Sequence, residues 1–257
     1  MRKDSRLDEI MKICRLNGFV SIKMLSEKLN VSEITIRRDL ELLEKLELVK
    51  KYRKGAVPVD SQSFKDFIRY NLIDEYNRNI EQKVEIGRRA VTMIQPGETI
   101  IFDSGSTLLY MVQSLPEKIP ITGICYGLHI AETLNKKHIN QLIMLGGMYH
   151  RDMDMFESIS DGDVLSGIRA EKAFISAFGI HLKVGLTSGS FFASLMRKRI
   201  ISSSEKIILL ADSSKFGKIE WAHFANIDDI DTIITDSGIS NEFIESIQGT
   251  GINLVII

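Results

Sequence analysis

Seven short apolar runs within residues 99–257 constrain the fold of this chain more than any other feature of its sequence. They are TIIF (99–102), ITGIC (121–125), QLIML (141–145), AFISA (173–177), KIILLA (206–211), TIIT (232–235) and NLVII (253–257). Continuously apolar, β-branched runs are typical of parallel strands covered on both faces. Helical stretches separate the runs, and a helix from Ile80 to Ile94 precedes them. The pattern implies βαβ crossovers and predicts an α/β domain over residues 80–257.

Polar residues and glycines follow several of these runs. Ligands of parallel sheets bind just beyond the carboxyl ends of the strands, so these residues are the predicted ligand site. The predicted ligand-binding residues are Asp103, Ser104, Gly105, Ser106, Thr107, Tyr126, Gly146, Gly147, Gly179, Asp212 and Lys215. The 104–107 loop has the amides and hydroxyls that suit a phosphate at a helix N-terminus, but it also fits an ordinary strand-to-helix turn. Lys215 either neutralises an anion or is a solvated loop lysine.

The first 57 residues predict three short helices followed by a β-hairpin. Apolar residues recur at helical spacing from Leu7 to Cys14, and Asn17-Gly18 ends that helix. Ser21 and Ser32 are candidate N-caps of the second and third helices. The third helix spans SEITIRRDLELLEKLELV, with an apolar side of Ile36, Leu40, Leu43 and Leu46. Two helices joined by a tight turn predict a helix-turn-helix.

The third helix leaves polar and basic side chains exposed at its start, where recognition helices read base edges. Arg can pair with guanine through two hydrogen bonds, and Thr can contact a base or a phosphate. The segment LVKKYRKGAVPV then predicts a two-stranded basic wing suited to phosphates. The predicted DNA-binding residues are Ser32, Glu33, Thr35, Arg37, Arg38, Lys50, Lys51, Arg53 and Lys54. The alternative is that Arg37 and Arg38 only form ion pairs, with Asp39 and Glu41 nearby.

Charge is unevenly distributed along the chain. Residues 1–57 hold 14 Lys or Arg and 9 Asp or Glu, a balance of +5, whereas the other 200 hold 19 and 25, a balance of −6. A basic end on an acidic body suggests that this end meets a polyanion, although chance surface charge gives the same numbers.

The stretch VSEITIRRDLELLEKLELV (31–49), with the basic wing after it, resembles the DeoR family of bacterial regulators, and the resemblance extends over nearly the whole chain. It implies a winged helix-turn-helix (1–57), a linker (58–79) and a Rossmann-like sensor domain (80–257) similar to the ribose-5-phosphate isomerase and glucosamine-6-phosphate deaminase fold. Such domains typically sense phosphorylated sugars or related metabolites. By this resemblance the 104–107 loop is the phosphate cradle and Lys215 faces the ligand.

The chain departs from the family pattern at the predicted site. Cys125 and Tyr126 replace a Thr-Asn pair, Phe178 replaces an aspartate, and Phe191-Phe192 stand where acidic residues are usual. Ser158 replaces a glycine. These changes make the predicted site less polar, so our hypothesis is that the effector is not the typical phosphosugar or that sensing has been altered.

The sequence favours a DNA-binding transcriptional regulator, a repressor of a carbohydrate-utilisation operon, over two alternatives. An isomerase- or deaminase-like enzyme needs a general base, and Asp161-Gly162-Asp163 is the nearest candidate cluster. An architectural DNA-binding protein would not need an α/β body of about 200 residues with loops at one edge. No metal or cofactor motif is found. We expect operator DNA and a small-molecule effector as partners, a homo-oligomer (dimer or tetramer), no membrane span, and a cytoplasmic location because the two cysteines do not form a disulfide framework.

Overall fold

The computed structural model describes residues 3–17, 20–46, 48–52, 55–58, 75, 78–151, 153–158 and 164–257. The chain forms two compact units that divide between Glu75 and Tyr76. We call them the N-terminal unit and the C-terminal unit. Most of the predicted 58–79 linker lies outside the described residues, as does Asp161-Gly162-Asp163.

The N-terminal unit contains the predicted helices and wing. Its elements are α1 (Lys3–Asn17), β1 (Val20–Ser21), α2 (Ile22–Leu29), α3 (Glu33–Lys45), β2 (Val49–Tyr52) and β3 (Gly55–Pro58). The strands pair antiparallel in the order β1-β3-β2. Ser32 is the N-cap of α3, as predicted, because its hydroxyl accepts the amide of Thr35 at 3.2 Å. The prediction of a winged helix-turn-helix is confirmed.

The third helix is shorter than the sequence predicts. Ile36, Leu40 and Leu43 are buried as expected, but Leu46 is 56% exposed. The helix ends at Lys45 and Leu46 is its C-cap, so the apolar spacing of an α-helix no longer applies there. Val49 leaves the helix because it pairs with Pro58 in the wing. Pro58, predicted as the first linker residue, therefore belongs to β3.

The C-terminal unit is built around seven parallel strands. They are β4 (Thr99–Phe102), β5 (Thr122–Cys125), β6 (Gln141–Met144), β9 (Ala170–Ile175), β12 (Ser204–Leu210), β14 (Thr232–Thr235) and β15 (Asn253–Ile256), in the spatial order β15-β14-β12-β9-β4-β5-β6. Every pairing is parallel. All seven predicted runs are therefore strands of one sheet, although β9 begins three residues earlier than its run and ends at Ile175.

Helices cover the two faces of this sheet. They are α4 (Ile80–Val91), α5 (Ser106–Gln113), α6 (Leu128–Lys136), α7 (Phe191–Ser202) and α8 (Asn241–Ile247). Side chains of β4 alternate between two apolar clusters, with Ile101 in one and Ile100 and Phe102 in the other. The helix predicted to reach Ile94 ends at Val91. The edge strands β6 and β15 are only partly buried, because each has a neighbour on one side alone.

Two further sheets in this unit are not foreseen by the sequence. One is the hairpin of β7 (Met148–His150) and β8 (Met155–Glu157), and the other consists of β10 (Gly179–His181), β11 (Gly185–Ser188) and β13 (Ala222–Ala225). The segment Gly185-Leu186-Thr187 forms most of β11. Gly185 has φ +80°, and a Cβ there would lie 2.2 Å from the carbonyl oxygen of Ala225, so both conformation and space require glycine.

The strand order reverses between β4 and β9. From β4 the chain proceeds to β5 and β6 on one side, then crosses to β9, β12, β14 and β15 on the other. In open α/β sheets the crevice at such a reversal, beyond the carboxyl ends of the strands, is the usual ligand position. Asp103 and Ser176, which follow β4 and β9, lie at this point.

Candidate functional site

The start of α3 carries the predicted base-reading side chains. Ser32, Glu33, Arg37 and Arg38 are exposed. The hydroxyls of Ser32 and Thr35 lie 2.9 Å apart and contribute to the helix cap. Arg37 Nη2 lies 3.7 Å from Glu33 Oε2, and both side chains are about half exposed. This ion pair is loose and solvated, so it contributes little to stability.

The carboxylates proposed to neutralise Arg37 and Arg38 have other partners. Asp39 is buried and accepts hydrogen bonds from Arg6 Nε at 2.6 Å and Nη2 at 3.1 Å. Glu41 Oε1 lies 2.6 Å from Lys51 Nζ, and this hydrogen bond lowers the pKa of Glu41. The main partners of Asp39 and Glu41 are thus Arg6 and Lys51, although the charge of Arg38 makes a smaller contribution to the lowered pKa of Glu41.

The wing residues differ in what they contact. Lys51 is bound to α3, since its backbone amide also donates to Glu44 Oε1 at 2.8 Å. Lys50 is exposed on β2. Arg53 and Lys54, the two residues between the paired wing strands, lie outside the described residues.

Asp103 is the centre of a buried hydrogen-bond network at the strand reversal. Its Oδ2 accepts the Ser176 amide and hydroxyl, each at 2.8 Å, and Arg197 Nε at 2.9 Å. Its Oδ1 accepts the Tyr126 hydroxyl and the amide of Ser104. Burial, more than the adjacent carboxylate, raises the pKa of Tyr126 far above its ordinary value, so the phenol stays protonated and donates.

Arg197 is, with Ser176, a member of this network that sequence reasoning missed. Its side chain is buried, and it also donates to Ser188 Oγ at 3.2 Å, Ser104 O at 3.3 Å and Ser176 Oγ at 3.4 Å. The signal was a charged residue at a core position of α7, beside the buried Met196 and one turn from Ala193. A buried guanidinium needs this many acceptors, because desolvation of an unpaired charge is costly.

The network fixes the predicted phosphate loop in place. Asp103 and Tyr126 are enclosed, whereas Ser106 is half-buried at the first position of α5. A Cβ at Gly105 would lie 2.7 Å from Ser176 Oγ, so the loop approaches the segment after β9 closely. The α5 helix has no side-chain cap at Gly105.

Gly147 and Gly179 lie where backbones meet, whereas a Cβ at Gly146 would meet no other part of the described chain within 4 Å. Gly146 is exposed, whereas Gly147 has φ +147°, and a Cβ there would lie 1.9 Å from the carbonyl oxygen of Glu157. At Gly179 a Cβ would lie 2.5 Å from Lys218 O. The β7–β8 hairpin is held to the sheet edge by Phe156 N donating to Tyr126 O at 2.8 Å. Gly147 and Gly179 therefore permit close packing of the strands around the predicted site.

Asp212 and Lys215 have different environments although they are three residues apart. Asp212 is buried, and its Oδ1 accepts Asn79 Nδ2 at 2.8 Å and the amide of Ser214 at 3.1 Å. Burial opposes its ionisation, but these hydrogen bonds and nearby lysines outweigh that effect, so the pKa of Asp212 lies below its ordinary value. Lys215 Nζ lies 5.7 Å from the centroid of the Phe178 ring, within cation–π range.

Two surface depressions lie away from the predicted site. They have volumes of about 550 and 490 Å³ and lie near the amino ends of β5 and β6, with Lys118, Pro120 and Asn140 around the first and His138 in both. None of the predicted ligand residues lines them. Since parallel sheets place ligand-binding loops at their carboxyl edge, we assign no function to these depressions.

The described part of the chain also shows what the protein offers for metal binding, thiol chemistry and membrane insertion. No group of three or more His, Cys, Asp or Glu side chains there could hold a metal ion. Cys14 and Cys125 are free and buried, and burial raises the pKa of each thiol to about 12. Across the same residues, no helix combines the length and apolarity that a bilayer crossing requires.

Comparisons with known proteins agree with the architecture of both units. The DeoR-like helix-turn-helix domain matches residues 6–62, and the DeoR C-terminal sensor domain matches residues 78–237. The HTH-type transcriptional regulator GolR of Listeria innocua is 30% identical over 251 residues, which cover 98% of this chain and 97% of that protein. The deoxyribose operon repressor of Escherichia coli is 26% identical over 254 residues, or 99% and 98% of the two chains.

A solved structure is a more distant match. Ribose 5-phosphate isomerase A from Methanocaldococcus jannaschii has a TM-score of 0.41 and 18% identity, covering 54% of this chain and 55% of that one. A likeness of that extent carries no argument about activity. The regulator interpretation is therefore supported over the enzyme alternative by the two domain matches and the full-length relatives. With both domains matched in order, the chain belongs to the DeoR family of DNA-binding transcriptional regulators.

Proposed function

We propose that the protein represses a carbohydrate-utilisation operon and releases its operator when a phosphorylated sugar or related metabolite binds the C-terminal unit. The observation that supports DNA binding is the exposed start of α3. The side chains of Arg37 and Arg38 are exposed there, whereas Asp39 is buried. Relatives in the same family include a repressor of the deoxyribose operon, which supports a sugar-related operon here.

The proposed DNA contacts divide into base-reading and phosphate-binding residues. Ser32, Glu33, Thr35, Arg37 and Arg38 lie at the helix start, which enters the major groove in helix-turn-helix proteins. The wing residues Lys50, Lys51, Arg53 and Lys54 then contact phosphates, which fix the register of the protein on DNA without reading sequence. Of these, Lys51 would have to exchange its contact with Glu41 for a phosphate.

The proposed effector site is the carboxyl edge of the sheet at the reversal between β4 and β9. The backbone amides of Gly105, Ser106 and Thr107 lie at the start of α5, where a phosphate is stabilised by the helix dipole, whereas the Ser104 amide donates to Asp103 Oδ1 and holds the loop. Lys215 supplies positive charge beside this edge. The proposed site also includes Asp103, Tyr126 and Asp212. Their side chains are enclosed, so they hold the loops in place rather than face a ligand.

The proposed regulator works as a homo-oligomer, a dimer or tetramer, in the cytoplasm. One helix-turn-helix covers only half of a typical operator, so two heads are needed. An effector that favours one arrangement of the heads by about 1–3 kcal/mol would change operator affinity roughly 5- to 150-fold.

The test of the DNA half is binding of the full-length protein to duplexes selected from a randomised pool. Arg37→Ala should weaken specific binding by about 1–3 kcal/mol and relax base preference at one position. Lys50→Ala should weaken all duplexes alike and lower the salt slope by about one unit. Lys12→Ala, an exposed lysine on α1, is the matched control. If Arg37→Ala and Lys50→Ala bind like the control, the proposed DNA surface is wrong.

The test of the effector half is release of the selected duplex by a panel of sugar phosphates and the corresponding free sugars. An effector present at 100 times its dissociation constant should also raise the free energy of unfolding by about 2.7 kcal/mol. Release by a free sugar and by none of the phosphates would contradict a phosphate-binding site at residues 104–107.

A further inference from the structure

Four large aromatic side chains are exposed at the carboxyl edge of the sheet. We call Phe178, Phe191, Phe192 and Trp221 the aromatic platform; their side chains are 45%, 52%, 40% and 50% exposed. Exposed apolar groups of this kind mark interaction sites when they are contiguous. None of the interactions described above accounts for their exposure.

Three rings of the platform, those of Phe191, Phe192 and Trp221, are contiguous, whereas Phe178 is connected to them through its backbone. Phe191 and Trp221 lie nearly parallel, with centroids 6.4 Å apart and planes 14° apart, and Phe192 packs edge-on against Phe191 at 6.3 Å. The ring of His150, from the β7–β8 hairpin, stacks on Phe192 at 5.1 Å. Phe178 is joined to this group through Thr187, whose carbonyl accepts the Phe178 amide and whose hydroxyl accepts the Glu220 amide beside Trp221.

Polar contacts also hold the indole of Trp221 and the backbone segment that carries Phe191 and Phe192. Trp221 Nε1 donates to Gly189 O at 2.8 Å, and Ser190 caps the helix that begins with Phe191. His150 Nε2 lies 2.6 Å from Glu157 Oε2. A surface that is already ordered loses little conformational entropy on binding a ligand.

The segments that carry the platform also carry residues bonded to the proposed phosphate loop. Phe178 follows Ser176 by two residues, and Ser176 binds the Asp103 carboxylate at the base of that loop. The helix that carries Phe191 and Phe192 also carries Arg197, which binds both Asp103 and Ser104 O. Lys215 places its charge over the Phe178 ring, so a cation lies beside the apolar surface.

We propose that the aromatic platform selects the effector, which is a phosphate ester bearing a flat ring that stacks on Phe191 and Trp221 while its phosphate approaches Lys215. The inference rests on the proposed function and names the ligand class of that same site. The C–H face of a pyranose suits the negative face of an aromatic side chain, and an aromatic ring can stack on that face in an offset arrangement. An acyclic phosphate ester has the charge but no ring to stack.

The platform suits a small molecule better than a second copy of the chain. A stable protein interface buries about 800 Å² per partner, far more than the faces of four rings supply. Its continuity with the strand reversal and with Lys215 places it at the ligand edge of the sheet.

Trp221 is the sole tryptophan of the chain, so tryptophan emission of the full-length protein reports directly on the platform. Three phosphate esters of similar charge serve as probes: glucose 6-phosphate for a pyranose, phenyl phosphate for an aromatic ring, and glycerol 3-phosphate for an acyclic chain. We expect a saturable change in emission with at least one ring-bearing ester, and binding of glycerol 3-phosphate about tenfold weaker.

Substitutions distinguish the contribution of the aromatic ring to ester binding from the contribution of the lysine charge. Phe191→Ala should weaken the ring-bearing ester about five- to tenfold and leave glycerol 3-phosphate unchanged, whereas Lys215→Ala should weaken all three esters. Phe191→Leu keeps apolar bulk without a ring face and should behave like Phe191→Ala. Ile219→Ala and Lys218→Ala, exposed neighbours of Trp221 and Lys215, are the matched controls and should bind like the wild type.

Three results would overturn the proposal. They are equal affinity for the acyclic and ring-bearing esters, unchanged affinity in Phe191→Ala, and no saturable response to either ring-bearing ester at millimolar concentration. If instead Phe191→Ala converts a dimer into a monomer in sedimentation and leaves ester affinity intact, the platform is an interface between copies. The proposed function fails separately, through unchanged DNA binding in Arg37→Ala.

Discussion

Each unit of the chain contains a buried Asp–Arg pair, and the two pairs differ in their surroundings. In the N-terminal unit, Arg6 of α1 binds Asp39 of α3, and the Arg6 side chain remains 13% exposed. In the C-terminal unit, Arg197 and Asp103 are both enclosed and share further bonds with Tyr126 and Ser176. The first pair joins two helices near the surface, whereas the second organises the loops at the ligand edge.

The proposed functional surfaces of the two units differ in how far apart in the chain their contacting residues lie. The proposed base-reading side chains lie within one helix, and their contacts join residues three or four positions apart, as between Glu33 and Arg37. The proposed effector site joins Asp103 to residues 73 and 94 positions away. A local surface persists wherever its helix forms, but the effector site exists only when the whole sheet has folded.

The largest expected effect is from Arg197→Met, which leaves the Asp103 carboxylate buried without its counter-ion. We expect the C-terminal unit to lose about 3–5 kcal/mol of unfolding free energy. Denaturant unfolding followed by Trp221 emission reports this unit. The double variant with Asp103→Asn should be more stable than Arg197→Met alone, and Lys198→Met, an exposed neighbour, should change little. A loss below about 1 kcal/mol would contradict the view that the enclosed pair is the more important of the two.

A smaller effect is expected from Arg6→Met in the N-terminal unit. Water reaches the partly exposed guanidinium, so the loss should be about 2–3 kcal/mol, less than for a fully enclosed pair. Far-ultraviolet circular dichroism should show earlier melting of helical signal while the Trp221 transition stays in place. Lys12→Met on the same helix is the control. A shift of the Trp221 transition would mean that the pairs are not independent.

The hydrogen bond between Asn79 and Asp212 should make the stability of the C-terminal unit depend on pH. Asn79 has φ +54°, so Asn79→Gly keeps the backbone conformation and removes only the amide, at a cost of about 1–2 kcal/mol at neutral pH. The lowered pKa of Asp212 means that its stabilisation is present above the unfolded value near 4 and is lost as pH falls through the folded one. Unfolding measured from pH 7 to pH 3 should therefore show the variant and wild type converging in acid. Gln82→Ala, exposed in the same helix, should show no such convergence.

The smallest effect is expected from Ser32→Ala, which removes the cap of α3. One lost side-chain cap should cost the N-terminal unit about 1 kcal/mol, and Ser32→Asn should restore most of it. Thermal melting of the helical signal measures the difference. Because the cap is local, equal destabilisation of the C-terminal unit would contradict the division into two units.

Sequence reasoning located elements well and contacts poorly. The seven runs and the Ser32 cap were predictable because each depends on residues adjacent in the chain. Leu46 was placed wrongly because pairing of Val49 in the wing ends the helical pattern early. The β10-β11-β13 sheet was missed because its strands are short and mix polar with apolar residues.

The sequence by itself determined the order of elements, the position of the recognition helix and the edge of the sheet where a ligand is expected. These follow from local periodicity, capping residues and the rule that parallel strands end at a common edge. Only the tertiary structure decided that Arg197 meets Asp103, that Asp212 turns towards Asn79, and that Phe191 stacks beside Trp221. Such contacts join residues far apart in the chain, and burial decides which charges must find partners, so no local pattern records them.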